Sequence, residues 1–212
     1  MVKTIFWNVD TQYDFMRSDE SYQGKLAIPK AREIEEKLEK LTHLAASSGI
    51  TVINTADWHT PRSEEFSDAP DFVQTFHPHC LMNSRGAEFV PATNPHNPYI
   101  IDWQQNYFDP EEALRRRNLI LYKDKFDVFT GTPHAHPLVR LLQPDSAIVY
   151  GVATNVCVDY AVRGLLDQNV QVFVPTDAIK ELPNLPLQSI LDSWVQRNVV
   201  LTTTENIARL LK

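Results

Sequence analysis

The chain has 212 residues, of which 43% are apolar and 22% are charged, as in an ordinary globular domain. Its 20 basic and 27 acidic residues give a formal net charge of −7. That charge argues against a nucleic-acid partner or an anionic membrane surface, because binding phosphate groups needs a basic footprint. We expect one domain over residues 1–212, with neither a nucleic-acid nor a membrane partner.

The compartment is inferred from apolar runs and cysteine usage. No apolar run approaches the roughly 20 residues that span a bilayer, and the apolar N-terminal run is too short for a signal peptide. The two cysteines, Cys80 and Cys157, do not make a disulfide framework. These features predict a cytoplasmic protein.

Short β-rich runs alternate with helical patterns along the chain. The predicted strands cover residues 4–9, 50–55, 118–122, 146–150, 170–174 and 199–202. The predicted helices cover residues 30–48, 136–142, 155–168, 187–197 and 205–211. A Pro-punctuated stretch from about residue 60 to about residue 110 is long enough to be functional. The alternation predicts an α/β fold, a doubly wound three-layer α/β/α sandwich around a mostly parallel sheet of about six strands.

Chemically active residues follow several of these strands. Asp10 ends the first strand, Lys123 ends the third, and Cys157 lies just beyond the fourth. Taken singly, each residue has a purely structural explanation. Asp10 could cap a turn, Lys123 could extend its ammonium from a strand end into solvent, and Cys157 could be a small buried apolar residue. In parallel sheets, however, the carboxyl ends of the strands form one ligand-binding edge. A carboxylate, an ammonium and a thiol at that edge predict a nucleophilic site.

The segment from Tyr150 to Cys157, YGVATNVC, predicts a strand, a tight turn at Gly151 and a helix beginning near Thr154 or Asn155. Cys157 then falls in the first helical turn, where free N–H groups and the helix dipole are expected to lower the pKa of the thiol. The same N–H groups can hold an oxyanion.

A second group of polar residues suits a metal ion. Asp57 and His59 stand two residues apart just past a strand, so they face the same way. The later run FHPHC adds His79. Two histidines and an aspartate suit zinc, iron or manganese. The alternative is that Asp57 and His59 only hydrogen-bond the following loop.

Three segments carry a family resemblance. VDTQYDF, KDKFDVFTGT and GVATNVCV resemble, in order, signature segments of the nicotinamidase/isochorismatase-like cysteine hydrolases. The resemblance implies a catalytic triad of Asp10, Lys123 and Cys157. It also implies a cis peptide bond between Val152 and Ala153, with the N–H groups of Ala153 and Cys157 as oxyanion hole. The implied reaction is hydrolysis of an amide such as nicotinamide through a Cys157 thioester.

The metal segment extends the resemblance to the nicotinamidase/pyrazinamidase-like branch, which DWHTPRSEEF followed by FHPHC resembles. The implied ligands of a divalent metal, with zinc preferred over iron or manganese, are Asp57, His59, Glu65 and His79. Glu64 and Asp68 remain alternatives to Glu65, and His77 remains an alternative to His79. By the same resemblance, Phe15 and Phe76 would hold the substrate ring, although a plain core role is the alternative for each.

The sequence also contains a departure from the nicotinamidase pattern, and it allows alternative functions. Asp127 stands where nicotinamidases usually have serine, which affects the expected substrate contacts. His134 and His136 flank a helix start and are interpreted as surface or capping residues. The alternative functions are an isochorismatase-like or other small-amide hydrolase, or a catalytically silent binding protein of the same fold. The expected partners are a small-molecule amide and, by resemblance, further copies of the chain in a homo-oligomer.

Overall fold

The computed structural model of the protein describes residues 3–183 and 185–211. Its strands are β1 (Thr4–Val9), β2 (Ser18–Asp19), β3 (Tyr22–Gln23), β4 (Val52–Asp57), β5 (Tyr99–Ile101), β6 (Asn118–Lys123), β7 (Ser146–Val152), β8 (Gln171–Pro175), β9 (Ile179–Lys180) and β10 (Val200–Thr202). Its α-helices are α1 (Tyr13–Met16), α2 (Glu35–Ser47), α3 (Pro110–Arg115), α4 (Val128–Gly131), α5 (Ala135–Leu142), α6 (Asp159–Leu166), α7 (Gln188–Gln196) and α8 (Thr204–Leu210). Among the described residues, no helix is both long and apolar enough to cross a membrane.

The main sheet has eight strands in the order β10-β8-β7-β1-β4-β6-β5, with β9 paired to β7. All its pairings are parallel. Every residue of β4 and β7 is buried, as expected of parallel strands covered on both faces. Two groups of helices flank the sheet: α2 packs against α8, while α4 packs against α5 and α6. This confirms the predicted α/β class.

The structure has more strands than the sequence predicts. The two strands missing from the predicted sheet, β5 and β9, have three and two residues, too short to show a period of two. The pair β2–β3 forms a separate antiparallel ribbon. The predicted helix over 155–168 also begins differently, because Thr154–Val158 forms a π-helical turn before α6.

The long segment after β4 loops out and returns to the same strand end. His59 and Leu81 form a parallel bridge, in which the His59 N–H donates to the Cys80 carbonyl at 3.1 Å and the Met82 N–H donates to the His59 carbonyl at 3.0 Å. Beyond the bridge, the segment contains short 3-10 turns at Arg85–Ala87 and Pro91–Thr93 before β5. The return brings residue 79 beside residue 59.

Gly151 allows the backbone of β7 to lie very close to that of the neighbouring strand β1. It has φ of 117°, in the region that side chains rarely adopt. It is aligned with Val9 of β1, and a Cβ on it would lie 2.1 Å from the Val9 carbonyl oxygen. The turn after β7 can therefore pass next to Asp10, the residue that follows Val9.

We expect Gly151→Ala to lower the free energy of unfolding by about 3 kcal/mol or more, because backbone strain and overpacking act together. The matched control is Gly49→Ala, since Gly49 also has positive φ but a Cβ on it would meet nothing within 4 Å. Only the strain remains there, so about 1–2 kcal/mol is expected. Urea unfolding of both variants measures the difference. Equal losses would contradict a steric role for Gly151.

Candidate active site

The three predicted triad residues meet at the carboxyl edge of the sheet. Lys123 ends β6 and is fully buried. Its Nζ lies 2.9 Å from Asp10 Oδ2 and 3.9 Å from Cys157 Sγ. It also donates a hydrogen bond to Asp57 Oδ1 at the end of β4. One ammonium therefore contacts two carboxylates and the thiol.

The charges of this group depend on one another. Burial alone would lower the pKa of Lys123, but Asp10 and Asp57 raise it well above its ordinary value. Burial raises the pKa of Asp10, with Lys123 opposing the shift and Asp57 adding to it. Burial also opposes ionisation of Asp57, but Lys123 and His59 hold its pKa well below the usual range. Asp10 is thus the carboxylate better suited to accept a proton.

Two residues outside the predicted set hold these carboxylates in place. Thr55 Oγ1 donates to Asp10 Oδ1 at 2.6 Å. The Gln12 side chain donates from Nε2 to the Asp57 carbonyl at 2.7 Å and accepts from the Asp57 N–H at 2.8 Å. Gln12 lies within the quoted segment VDTQYDF, so its position in the motif was the available signal. Its contact with Asp57 depends on the fold.

Cys157 lies in the π-helical turn Thr154–Val158 and is only 6% exposed. Burial raises the pKa of its thiol well above the ordinary value, with Lys123 opposing and the two carboxylates adding to the shift. The net direction is therefore opposite to the lowering expected from the helical turn. The peptide bond between Val152 and Ala153 is cis, and Ala153 lines the same pocket as Cys157.

A narrow pocket, called here the inner pocket, lies over Cys157 and has a volume of about 20 Å³. Both predicted ring-binding residues line it, and both contact His79: the ring centroids lie 5.3 Å apart for Phe15 and 6.1 Å apart for Phe76. Five further apolar residues of the lining were not predicted: Leu26, Ile28, Phe126, Val156 and Leu182. Phe126 and Val156 lie within the quoted segments KDKFDVFTGT and GVATNVCV, so their positions in the motifs were the available signal. The other three lie outside the quoted motifs and are brought to the pocket only by the fold.

Three of the four predicted metal ligands converge beside the triad. One ligand atom from each of Asp57, His59 and His79 lies within 4.8 Å of the other two. The Nε2 atoms of His59 and His79 lie 3.6 Å and 3.5 Å from Asp57 Oδ2. All three side chains are buried. Two imidazoles and a carboxylate are a donor set that zinc accepts.

The other ring nitrogen of each histidine is already occupied. His59 Nδ1 lies 2.8 Å from Asp124 Oδ1, and His79 Nδ1 donates to the His77 carbonyl at 2.7 Å. His59 Nε2 is buried without a hydrogen-bond partner among the described residues. Acceptors that hold Nδ1–H and leave Nε2 free are the usual support for metal-binding histidines. The residues present therefore fit a divalent cation.

The charge balance supports the same interpretation. Asp10 and Asp57 together carry one more charge than Lys123 neutralises. Burial alone would lower the pKa of His59, but Asp57 and Asp124 raise it to about 9. The site thus favours an added positive charge, which either a protonated His59 or a divalent cation would supply.

Glu65 does not join the three converging ligands. It is buried and lines the inner pocket, but its Oε1 accepts a hydrogen bond from the Phe126 N–H at 2.7 Å. Burial, with the charge of Asp57, raises the pKa of Glu65 to about 7. The alternatives Glu64, Asp68 and His77 are exposed. Glu65 as fourth ligand stays a prediction.

The remaining predicted positions have structural roles. Asp127 Oδ1 accepts from the Phe129 N–H at 2.9 Å and caps α4. His136 is exposed, as expected. His134 precedes α5 as its cap residue and is buried, which agrees with the capping alternative and not with the surface one. Its Nε2 lies 2.9 Å from the Gln105 carbonyl oxygen, in a loop that covers it.

Comparison with known proteins identifies the family. The profile of the isochorismatase domain matches residues 4–206. The chain belongs to the isochorismatase family. The nicotinamidase of Escherichia coli (strain K12) is 27% identical over 203 residues, covering 85% of this chain and 84% of that enzyme. The nicotinamidase/pyrazinamidase of Mycobacterium tuberculosis (strain ATCC 25618 / H37Rv) is 27% identical over 158 residues, covering 71% and 72%.

A solved structure shows the same fold. The pyrazinamidase of Pyrococcus horikoshii, in complex with zinc, superposes with a TM-score of 0.74 at 22% identity, over 95% of this chain and 99% of that chain. The family resemblance inferred from the three motifs is therefore confirmed. The protein is an isochorismatase-family hydrolase.

We expect Asp124→Asn to weaken zinc binding by roughly 10–100-fold, because an amide holds the His59 Nδ1–H less strongly than a carboxylate does. Competition with a chromophoric chelator measures the dissociation constant without any assay of turnover. The matched control is Asp167→Asn, which makes the same substitution at an exposed carboxylate outside the site that pairs with Arg197. Unchanged affinity in Asp124→Asn would contradict its supporting role.

Proposed function

We propose that the protein is a cysteine-dependent amidohydrolase of the nicotinamidase kind, which converts nicotinamide and water to nicotinate and ammonia. The observation that carries the proposal is the buried Lys123 ammonium, 2.9 Å from the Asp10 carboxylate and 3.9 Å from the Cys157 sulfur. A base and a charge partner thus lie beside a nucleophile that lines the inner pocket. The names of the two curated relatives support the choice of a C–N bond as the bond that is cleaved.

The first half of the reaction forms a thioester. Asp10 accepts the thiol proton of Cys157 as the sulfur attacks the amide carbonyl carbon, and the C=O π electrons move to the oxygen. Lys123 stabilises the charges that develop on its neighbours, and the N–H groups of Ala153 and Cys157 serve as oxyanion donors. When the tetrahedral intermediate collapses, the C–N bond breaks and Asp10 returns the proton to the departing ammonia.

The second half of the reaction releases the acid. Asp10, ionised again, takes a proton from a water molecule that attacks the thioester carbonyl. The C–S bond then breaks, the product leaves as a carboxylic acid, and Asp10 returns the proton to the Cys157 sulfur. The raised pKa of Asp10 suits a group that must accept and donate a proton in each half.

Asp57, His59 and His79 would hold a divalent metal, for which zinc is the first choice. When bound, the metal would supply a Lewis acid at the wall of the pocket. Phe15 and Phe76 border the same wall and would hold a flat ring by burial and stacking. This combination favours a small aromatic amide as the substrate.

The direct test is ammonia release from nicotinamide by the purified protein. Cys157→Ala is expected to lower the rate by roughly 10³-fold or more, since the nucleophile is lost. Cys80→Ala is the matched control, because Cys80 is also a buried free cysteine but does not line the inner pocket. It should keep most of the activity. Equal rates in Cys157→Ala and wild type would refute the thioester mechanism.

Three further expectations remain predictions. The chain is expected to act as one domain over residues 1–212, in the cytoplasm, and to assemble as a homo-oligomer. Sedimentation of the purified protein would measure the oligomeric state.

A further inference from the structure

A second, larger cavity adjoins the inner pocket. This outer cavity has a volume of about 510 Å³, whereas the inner pocket has about 20 Å³. Leu26, Phe76 and Leu182 line both. The two spaces therefore share a wall formed by these three residues, and a ligand that displaces their side chains could occupy both.

The outer cavity is bordered by apolar side chains that are costly to expose. Phe72 is 48% exposed and Val73 is 55% exposed, and both line the cavity together with Pro29 and Pro183. Large apolar side chains grouped at the mouth of a pocket commonly mark a binding site. Phe76 joins this group to the inner pocket.

The loop that presents Phe72 and Val73 is held by one carboxylate. Asp71 Oδ1 accepts hydrogen bonds from the N–H groups of Val73, Gln74 and Thr75 at 2.9, 2.8 and 2.8 Å. It also accepts from Thr75 Oγ1 at 3.1 Å, and the Phe72 N–H donates to the Thr75 carbonyl at 3.0 Å. Among the lining residues that the structure describes, Asp71 is the only charged one, and it is engaged within its own loop. The cavity offers a ligand apolar contacts rather than an ion pair.

We propose that the outer cavity is a substrate subsite, which binds an uncharged, apolar substituent on the acyl side of the amide. The proposal rests on the amidase function, since the carboxamide must reach Cys157 in the inner pocket while the substituent extends past Leu26, Phe76 and Leu182. The substrate class is then a primary aromatic amide with an apolar extension of several carbon atoms. Nicotinamide itself would use only the inner part of the site.

A substrate series tests the subsite in the wild-type protein. Nicotinamide, benzamide, 3-butylbenzamide and 4-butylbenzamide present the same carboxamide, with an apolar chain in two directions or none. Each buried methylene strengthens binding roughly fourfold. We expect at least one butyl isomer to have a KM about tenfold or more below that of benzamide. Equal or higher KM values for both isomers would overturn the proposal.

A pair of variants tests whether the butyl chain binds in the outer cavity. Val73→Asp puts a carboxylate into the apolar lining and should raise the KM of the favoured butylbenzamide about tenfold. The KM of nicotinamide should change less than about twofold. Val195→Asp is the control, because Val195 of α7 is 56% exposed but is not part of the lining. Loss of the butyl preference in Val195→Asp as well would refute the location.

Calorimetry separates this proposal from the proposed function. Cys157→Ala removes the nucleophile, so binding of each amide can be measured without turnover. Tighter binding of a butylbenzamide than of benzamide would support the subsite, whether or not the wild-type protein hydrolyses these amides. If the wild-type protein binds a butylbenzamide more tightly but hydrolyses none of these amides, only the amidase function is refuted. Turnover of nicotinamide with no gain in affinity from either butyl chain would refute the subsite alone.

Discussion

The buried ammonium of Lys123 sets the main constraint on the structure. A fully buried cation is tolerated only where opposite charges and hydrogen bonds compensate for its lost hydration. Here Asp10 and Asp57 provide that compensation from the ends of the two strands β1 and β4. Because each of the three residues ends or follows a strand of one parallel sheet, the register of β1, β4 and β6 is what keeps the charges together.

Asp57 connects this ion group to the cation site. One of its oxygens accepts from Lys123, and the other lies near the Nε2 atoms of both histidines. Two consecutive residues at the end of β6 serve the two parts of the site. The Lys123 ammonium contacts the Cys157 thiol, and the Asp124 carboxylate holds the His59 ring. The nucleophile and the cation site are therefore positioned by the same strand ends.

The sequence predicts those parts of the site that depend on strand ends. Asp10, Lys123 and Cys157 could be placed together because parallel strands end at one edge. The direction of the Cys157 pKa shift could not be predicted from its helical turn, since the pKa is raised by burial and by the two carboxylates Asp10 and Asp57, which the fold brings near. The strands β5 and β9 are too short to show the alternation of apolar and polar residues from which a strand is predicted. The contact between Asp124 and His59, and the hydrogen bond that Glu65 accepts from the Phe126 N–H, join residues far apart in the sequence and depend on the fold.

In the proposed mechanism, Cys157 is a protonated thiol at rest and Asp10 takes its proton during attack. The direct measurement is the rate of alkylation of Cys157 by iodoacetamide between pH 6 and pH 10, with peptide mass spectrometry to separate it from Cys80. The predicted apparent pKa is above the ordinary thiol value in wild type and lower in Asp10→Asn, because a negative charge beside the sulfur favours the protonated form. A wild-type Cys157 thiol that is already ionised below pH 7 would contradict this mechanism.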